Sequence, residues 1–375
     1  MEKIIIIPDS FKGTLSSVEV CNIMADAVKK CLPEAAVCLV PVADGGEGTV
    51  EAFLRAAGGK RIETRVQGPK GEEIASFYGM LPDGTAVIEM AAAAGLPLMG
   101  EQLNVMGATT YGVGQLISQA LDQEPRRIIL GLGGSATNDG GCGAAAALGV
   151  SFFDNDGKKF VPVGENLCRI TKIDISGLDK RLRKIPIVTM CDIVNPLCGP
   201  SGAACIFGPQ KGASKEQVTL LDDGLKNLAS VIKHDLQLDV ADIPGAGAAG
   251  GMGAGMTAFL GSTLQRGIEV VLETVKFQEM LHDASLIFTG EGKFDDQSLM
   301  GKVVSGVANR AKKAGVPVIC VAGAADAEVA DSESITAVFS INRKPLPYEE
   351  AILSSKDNLR ITMENILRLW KAAGK

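Results

Sequence analysis

The chain has 375 residues, long for one domain and comfortable for two. Apolar residues make up 46%, charged residues 22% and aromatics only 4%, which describes a globular protein with an aliphatic core and favours buried parallel strands under helices. A net charge of −7 with no basic block argues against a nucleic-acid or membrane partner.

The first element is an apolar strand at Lys3–Ile7, followed by Pro8 and Asp9. Its four isoleucines are too few for the apolar core of a signal peptide, and no later run approaches the ~18 residues of a spanning helix. The expected location is therefore cytoplasmic. Ser16-Ser17-Val18-Glu19 is a capping box that opens a helix. Val20, Met24 and Val28 give that helix its buried stripe, and Pro33 stops it. A strand at Val37–Val42 and a helix from about Thr49 to Ala57, ended by Gly58-Gly59, complete a β-α-β-α run, the grammar of a parallel sheet.

Near residue 60 the style changes. Arg61–Val66, Ile74–Met80 and Thr85–Met90 read as short strands joined by Gln67-Gly68-Pro69-Lys70-Gly71 and Pro82-Asp83-Gly84, a meander. Strands at Ile128–Leu130 and Ile185–Met190 and the glycine-rich run 245–255 follow. From about residue 285 the β-α-β pattern returns, with strands at Ser285–Thr289, Val316–Val321 and Ala337–Ile341 and a final helix ending at Trp370. The expected architecture is α/β with two domains. Residues 1–60 plus 285–375 form a discontinuous Rossmann-like parallel-sheet domain, and 61–284 an inserted mixed α/β domain with an antiparallel part. The active site is expected in the cleft between them, a favoured ligand position.

Acids recur where strands end. Asp9 follows the first strand, Asp44 the second, Asp192 the run IPIVTMC and Glu291 the run SLIFTG, while Ile128–Leu130 leads through its loop to Asn138-Asp139. Ligands of open α/β sheets sit outside the carboxyl ends of the strands. One such acid reads as a helix cap. Four together read as a site for a cation or polar ligand, and Mg²⁺ binds through one or two carboxylates plus substrate phosphates. Lys12, Lys211, Lys293 and Lys302 lie beside these acids or in glycine loops, which suits an anionic, metal-bound ligand. Cys191, Cys198 and Cys205 are spaced like no common zinc site, and the two histidines, His234 and His282, lie far off, so these cysteines read as small buried thiols.

Other chemistries fit less well. Every Gly-Lys pair lacks a following Ser or Thr, so there is no Walker A loop. The protein-kinase signatures are absent, and neither histidine is placed as a general base, which leaves proton transfer to a carboxylate. Gly131-x-Gly133-x-x-Ala136 follows a strand and resembles a dinucleotide fingerprint, with Asp154 about twenty residues on. However, Thr137-Asn138-Asp139-Gly140-Gly141 intervenes before any helix, and Asp139 would repel a bare pyrophosphate though not a Mg²⁺-bridged phosphate. An NAD-dependent dehydrogenase using this loop, and a non-catalytic nucleotide- or sugar-acid-binding regulator, are the two rival functions.

Taken together, the long segments resemble the type I glycerate kinase (glycerate 2-kinase-like) family. They are PDSFKGTLS at 8–16, VPVADGGEGT at 40–49, GLGGSATNDGG at 131–141, CDIVNPLCGPSGA at 191–203, FGPQKGA at 207–213, GAGAAGGMG at 245–253 and TGEGKFDDQSLMGK at 289–302. They run in order from residue 8 to residue 302. One departure is Ala94, where the family tends to carry a serine, so a hydroxyl is missing at that position.

The resemblance implies phosphorylation of D-glycerate, with ATP as phosphoryl donor. Phosphoryl transfer calls for alignment and charge neutralisation, here with Mg²⁺. Candidate catalytic residues are Asp192 or Asp44 as the base and Lys12 as a charge partner. Gly133, Gly134 and Ser135 offer backbone amides to phosphates, with Lys211 and Lys293 as further cations. Ser10, Asn195, Gln297 and Ser298 are candidates for substrate contacts, and Asp139, Glu291 and Asp295 for the metal. The 2-hydroxyl is the favoured acceptor.

Overall fold

The computed structural model describes residues 2–295, 298, 302–326, 333–344 and 346–374. In chain order its strands are β1 (Lys3–Ile6), β2 (Ala36–Leu39), β3 (Lys60–Gln67), β4 (Glu73–Met80), β5 (Thr85–Glu89), β6 (Arg127–Gly131), β7 (Ser151–Phe153) and β8 (Lys159–Phe160). They continue as β9 (Lys172–Asp174), β10 (Ile187–Met190), β11 (Thr263–Gln265), β12 (Leu286–Thr289), β13 (Lys293–Phe294), β14 (Val318–Ala322), β15 (Ala324–Ala325) and β16 (Ala337–Ser340). The chain divides into a terminal unit, Met1–Ala43 with Arg55–Gly58 and Ile268–Lys375, and an inserted unit, Asp44–Leu54 with Gly59–Gly267.

The terminal unit is built on a five-stranded parallel sheet in the order β16-β14-β12-β1-β2. Ile4, Ile5 and Ile6 of β1 are fully buried, as expected of a central parallel strand covered on both faces. One face packs the helices Ser17–Cys31 and Ser355–Ala373, through Val20, Met24, Val28, Leu359, Met363 and Leu367. The first of these helices opens with the expected capping box: Ser16 Oγ accepts the Glu19 N–H, and Glu19 accepts the Ser16 N–H. Phe294, Val304 and Ala308 pack the other face.

Numbered along its own sheet, this order is 2-1-3-4-5, the flavodoxin-like winding. Its crossovers reverse direction between β1 and β12, and a doubly wound sheet offers its ligand crevice at that reversal.

The return to the terminal unit comes at Ile268 rather than at the strand near 285. The helix Gly267–Thr274 causes the shift: Ile268, Val270, Val271 and Leu272 are buried, and Ile268 lies against Gly306 of the helix Val303–Ala314. An apolar helix follows the core it covers, which the strand pattern alone did not reveal.

The inserted unit carries a six-stranded mixed sheet, β11-β10-β6-β5-β4-β3. β3, β4 and β5 are the expected antiparallel meander, and β5, β6, β10 and β11 run parallel. β7, β8 and β9 form a small antiparallel sheet beside it.

The glycine run 245–255 opens the helix Ala248–Leu260, broken at its start by three left-handed residues, Ala249, Gly250 and Gly251. Gly250 has φ +68, and a Cβ there would stand 2.5 Å from the Asn138 Cα and overlap the Thr137 carbonyl. Its own carbonyl accepts the Gly140 N–H at 3.0 Å. Gly250→Ala is therefore expected to destabilise the protein by about 2–4 kcal/mol, combining backbone strain with a clash, and to lower the thermal midpoint in calorimetry.

Candidate functional site

Two groups of polar residues collect at strand carboxyl ends, one in each unit. In the terminal unit β1 leads to Asp9 and β12 leads to Gly290-Glu291-Gly292, side by side at the reversal point of the sheet. The Asp9 N–H donates to the Gly290 carbonyl at 2.8 Å, and the Ser10 N–H donates to Asp9 Oδ1 at 2.6 Å. Glu291 is only 8% exposed, and its Oε1 is buried with no hydrogen-bond partner. Burial pushes its carboxyl up to about 7; the charges of Asp9 and Asp295 add to the rise, while a hydrogen bond from Ser298 and the charge of Lys302 oppose it. A buried acid held beside two others, with one oxygen unused, is suited to a cation or a proton donor.

The other predicted residues of this group are placed nearby. Ser298 is fully buried; its Oγ accepts the Asp295 N–H at 3.0 Å. Lys293 is exposed and pairs with Asp295 at 3.4 Å and Asp326 at 3.2 Å, so its charge is shared between two carboxylates rather than held for a phosphate alone. Lys12 is exposed in the loop after β1, and the backbone of Phe11 and Lys12 packs on Gly292. Gln297 lies outside the described residues.

In the inserted unit, the loop after β6 is pressed against the segment after Asp44. The Gly133 N–H donates to the Gly45 carbonyl at 2.9 Å, and a Cβ on Gly133 would stand 2.5 Å from the Gly46 Cα. This corrects one expectation: the Gly133 amide is spent on the backbone and is not offered to a phosphate. Gly134, at φ +74, is exposed and keeps the loop turning. The helix after the loop starts only at Cys142, past the left-handed Gly141, so the interruption read against a dinucleotide fingerprint is real. Asp154 sits in the hairpin between β7 and β8, accepting N–H bonds from Asp156 and Lys158 and pairing with Arg169 at 2.8 Å.

Asp139 is a second correction. It is fully buried, and its carboxylate accepts the Thr110 N–H and O–H at 2.8 Å each, the Gly141 N–H at 3.1 Å and the Gly143 N–H at 3.2 Å. Burial pushes this carboxyl up and those four donors pull it back. Its oxygens hold the loop and are not presented to a metal.

Lys211 is likewise internal, at 3% exposure. It donates to Ser135 Oγ and to the Thr137 carbonyl, both at 2.7 Å. Burial drives its ammonium down to about 7 against the opposing charge of Asp139. Ser135 and Lys211 therefore brace each other, which departs from their expected role as separate phosphate contacts. Beside them Thr137 Oγ1 and both amide atoms of Asn138 are buried with no partner.

The remaining candidates end neighbouring strands. Asp192 is exposed after β10 and accepts the Gly267 N–H at 2.8 Å; Asp44 is exposed and accepts the Gly46 N–H at 3.2 Å. Asn195 donates its amide to the Ser201 carbonyl at 2.8 Å.

Sequence reading gave Glu89, Thr137 and Asn138 no role of their own in the site. Glu89 ends β5, is buried, and accepts the Val50 N–H at 2.9 Å, which fixes the start of the helix Thr49–Ala57. Its signal was the one used elsewhere, an acid closing an apolar strand. Ala94, where the serine is missing, is fully buried, and its carbonyl accepts the Ala136 N–H. All nine cysteines are free; Cys191, Cys198 and Cys205 are half-buried rather than buried.

Among the described residues, no group of three or more His, Cys, Asp and Glu side chains is arranged to hold a metal. No helix among them is long and apolar enough to cross a membrane.

A doubly wound α/β sheet with a buried acid between two half-buried ones at its reversal point, and a mixed α/β unit with a braced glycine loop, fit a small-molecule phosphotransferase class better than a dinucleotide oxidoreductase. Residues 4–371 match the model of the glycerate kinase family. The chain is 47% identical over 368 residues to the glycerate 2-kinase of Escherichia coli K12, covering 97% of each chain. It is 45% identical to a glycerate kinase of Bacillus cereus, covering 100% of this chain and 99% of the other. A solved protein of Salmonella typhimurium LT2, provisionally called glycerate kinase 2, superposes with a TM-score of 0.88 at 43% identity, over 100% of this chain and 99% of that one. The chain belongs to the glycerate kinase family. It is a phosphotransferase that phosphorylates glycerate, and a kinase implies ATP as the donor.

Proposed function

We propose that the chain transfers the γ-phosphoryl group of ATP, with Mg²⁺, to the 2-hydroxyl of D-glycerate, releasing ADP and 2-phosphoglycerate. The observation that carries this reading is Glu291. It is a buried carboxyl with an unpartnered oxygen, set beside Asp9 where the crossovers of a parallel sheet reverse. The printed name of the 47% identical relative supports the 2-position.

Glu291, paired with Asp9 or Asp295, would hold Mg²⁺, which needs only one or two protein carboxylates when phosphates complete its shell. When bound, the ion neutralises charge on the transferring phosphoryl oxygens. Lys12 adds positive charge after β1, and Gly134 with Ser135 remains the candidate backbone for a phosphate in the inserted unit. Asp192 is the leading base for the acceptor hydroxyl, with Asp44 as its alternative, because each carboxylate is exposed at a strand end and its backbone bond orients it there. Nine free cysteines suit a reducing compartment, and we place the enzyme in the cytoplasm.

Phosphorus NMR of the product from D-glycerate and Mg²⁺·ATP tests the reaction: a 2-phosphoglycerate resonance supports it, and 3-phosphoglycerate or no ester contradicts it. Asp192→Asn is expected to lower kcat by about 10²–10⁴-fold while leaving the ATP Kd within about twofold. Near-wild-type turnover in both Asp192→Asn and Asp44→Asn would remove both from the base role.

A further inference from the structure

The loop after β6 holds three polar atoms that the protein itself leaves unused. Thr137 is fully buried and Asn138 is 1% exposed, yet Thr137 Oγ1, Asn138 Oδ1 and Asn138 Nδ2 have no hydrogen-bond partner. Buried polar groups are almost always paired, so one orphaned amide donor, one orphaned amide acceptor and one orphaned hydroxyl at adjacent positions call for a common ligand. The setting is rigid. Asp139, the next residue, is locked by four donors, and Gly250 packs directly on the Thr137 carbonyl and the Asn138 Cα. A cation stands alongside: the Lys211 ammonium donates to the Thr137 carbonyl and to Ser135 Oγ, using two of its three protons on neutral oxygens.

We propose that Thr137, Asn138 and Lys211 form the subsite for the carboxylate end of the acceptor, a 2-hydroxy acid. The carboxylate takes the Asn138 Nδ2 and Thr137 hydroxyl donors under the charge of Lys211, and Asn138 Oδ1 accepts from a hydroxyl of the same molecule. The pattern selects for chemistry. A phosphate chain presents only acceptors and would leave Asn138 Oδ1 unpaired, whereas a hydroxy acid supplies both an anionic acceptor and a donor.

The position agrees with the reaction. β6 pairs with β5 on one side and β10 on the other, with Gly131 level with both Glu89 and Met190. An acid anchored after β6 therefore lies at the same end of the sheet as Asp192, two residues beyond Met190 on the adjacent strand, which neighbouring strands hold about 5 Å apart. Lys211 acts here through its charge and as a brace of the loop, and Asn138 is the residue that distinguishes a hydroxy acid from a simple anion.

The inference rests on glycerate being the acceptor. Its test is equilibrium binding of radiolabelled D-glycerate to the full chain, with and without a non-hydrolysable ATP analogue, beside thermal unfolding of each protein. Thr137→Val keeps the side-chain shape and removes the hydroxyl. It is expected to weaken glycerate at least about tenfold, to leave ATP-analogue affinity within about twofold, and to keep or raise the apo thermal midpoint, since an unpaired buried hydroxyl is removed. Asn138→Asp sets a carboxylate against a carboxylate and is expected to weaken glycerate by about 100-fold or more. If that variant does not fold, Thr137→Val decides alone. Unchanged glycerate affinity in Thr137→Val overturns the proposal, as does a loss confined to the ATP analogue, or a fall in apo stability with ligand binding intact, the mark of a buried water. No glycerate binding by the wild type under either condition would instead overturn the acceptor reading on which the proposal stands.

Discussion

Replacing Glu291 with glutamine should make the metal-free protein more stable at alkaline pH and the enzyme far less active. The two effects share one cause. The Glu291 carboxyl is raised from 4.5 to about 7, chiefly by burial, with Asp9 and Asp295 adding like charge. An acid whose folded value lies above its unfolded value favours folding only while protonated. In chelator, wild-type stability should therefore fall as pH rises from about 4.5, and level off above about 7. The shift corresponds to about 3 kcal/mol, the most that Glu291→Gln can regain over wild type at pH 8; near pH 4.5 the two proteins should coincide. Turnover at saturating Mg²⁺·ATP should drop on the order of 100-fold, because the variant lacks the charge that meets the cation. Chemical denaturation across pH, paired with steady-state rates, checks both halves. A variant less stable than wild type at pH 8, or one with full activity, would show that Glu291 is a structural acid with its own local partner. Gain of stability with loss of function is the mark of a site held against its folding preference.

Asp139→Asn should act in the opposite sense, costing stability first. Three donors converge on Oδ2 and one on Oδ1. Asparagine can supply one acceptor oxygen, so its NH₂ must face a backbone N–H, with the charge assistance of the other bonds also lost. The expected cost is about 3 kcal/mol or more, a fall in thermal midpoint on the order of 6–12 °C for a unit of this size. Loss of glycerate binding should accompany it, because the loop carrying Thr137 and Asn138 is tied down by that carboxylate. If the midpoint moves by less than about 1 °C while metal affinity falls, Asp139 is a ligand after all and its four bonds are incidental.

These two acids also show how far the sequence could be read. Both stand after apolar strands, and both looked like metal residues. Only packing separates them: Asp139 is saturated by donors from Thr110, more than twenty residues upstream, and from its own loop, whereas Glu291 keeps a bare oxygen. Periodicity located β1, β12, the capping box at Ser16 and the meander β3–β5, because local patterning governs those elements. It missed the crossing at Ile268, where a helix joins a distant core, and the close approach of Gly250 to Asn138. The glycines at 131–134 read as a phosphate loop, yet Gly131 and Gly133 pack on Gly45-Gly46, some ninety residues earlier, a neighbour that could not be named without the fold. Thr137 and Asn138 sat in plain view within the same motif. Nothing in a sequence says which of its polar atoms will be left without a partner.

The central claim is that two groups of residues do different work, the Glu291 group on the metal-nucleotide and the Thr137–Asn138 group on the acceptor. The most direct measurement is a crossed titration of initial rates, varying Mg²⁺·ATP and D-glycerate in wild type, Glu291→Gln and Thr137→Val. The account predicts that Thr137→Val raises the glycerate KM at least about tenfold with the ATP KM within about twofold, while Glu291→Gln loses kcat and metal dependence with the glycerate KM nearly unchanged. If the two variants exchange signatures, or if both shift both constants alike, the division of labour is wrong.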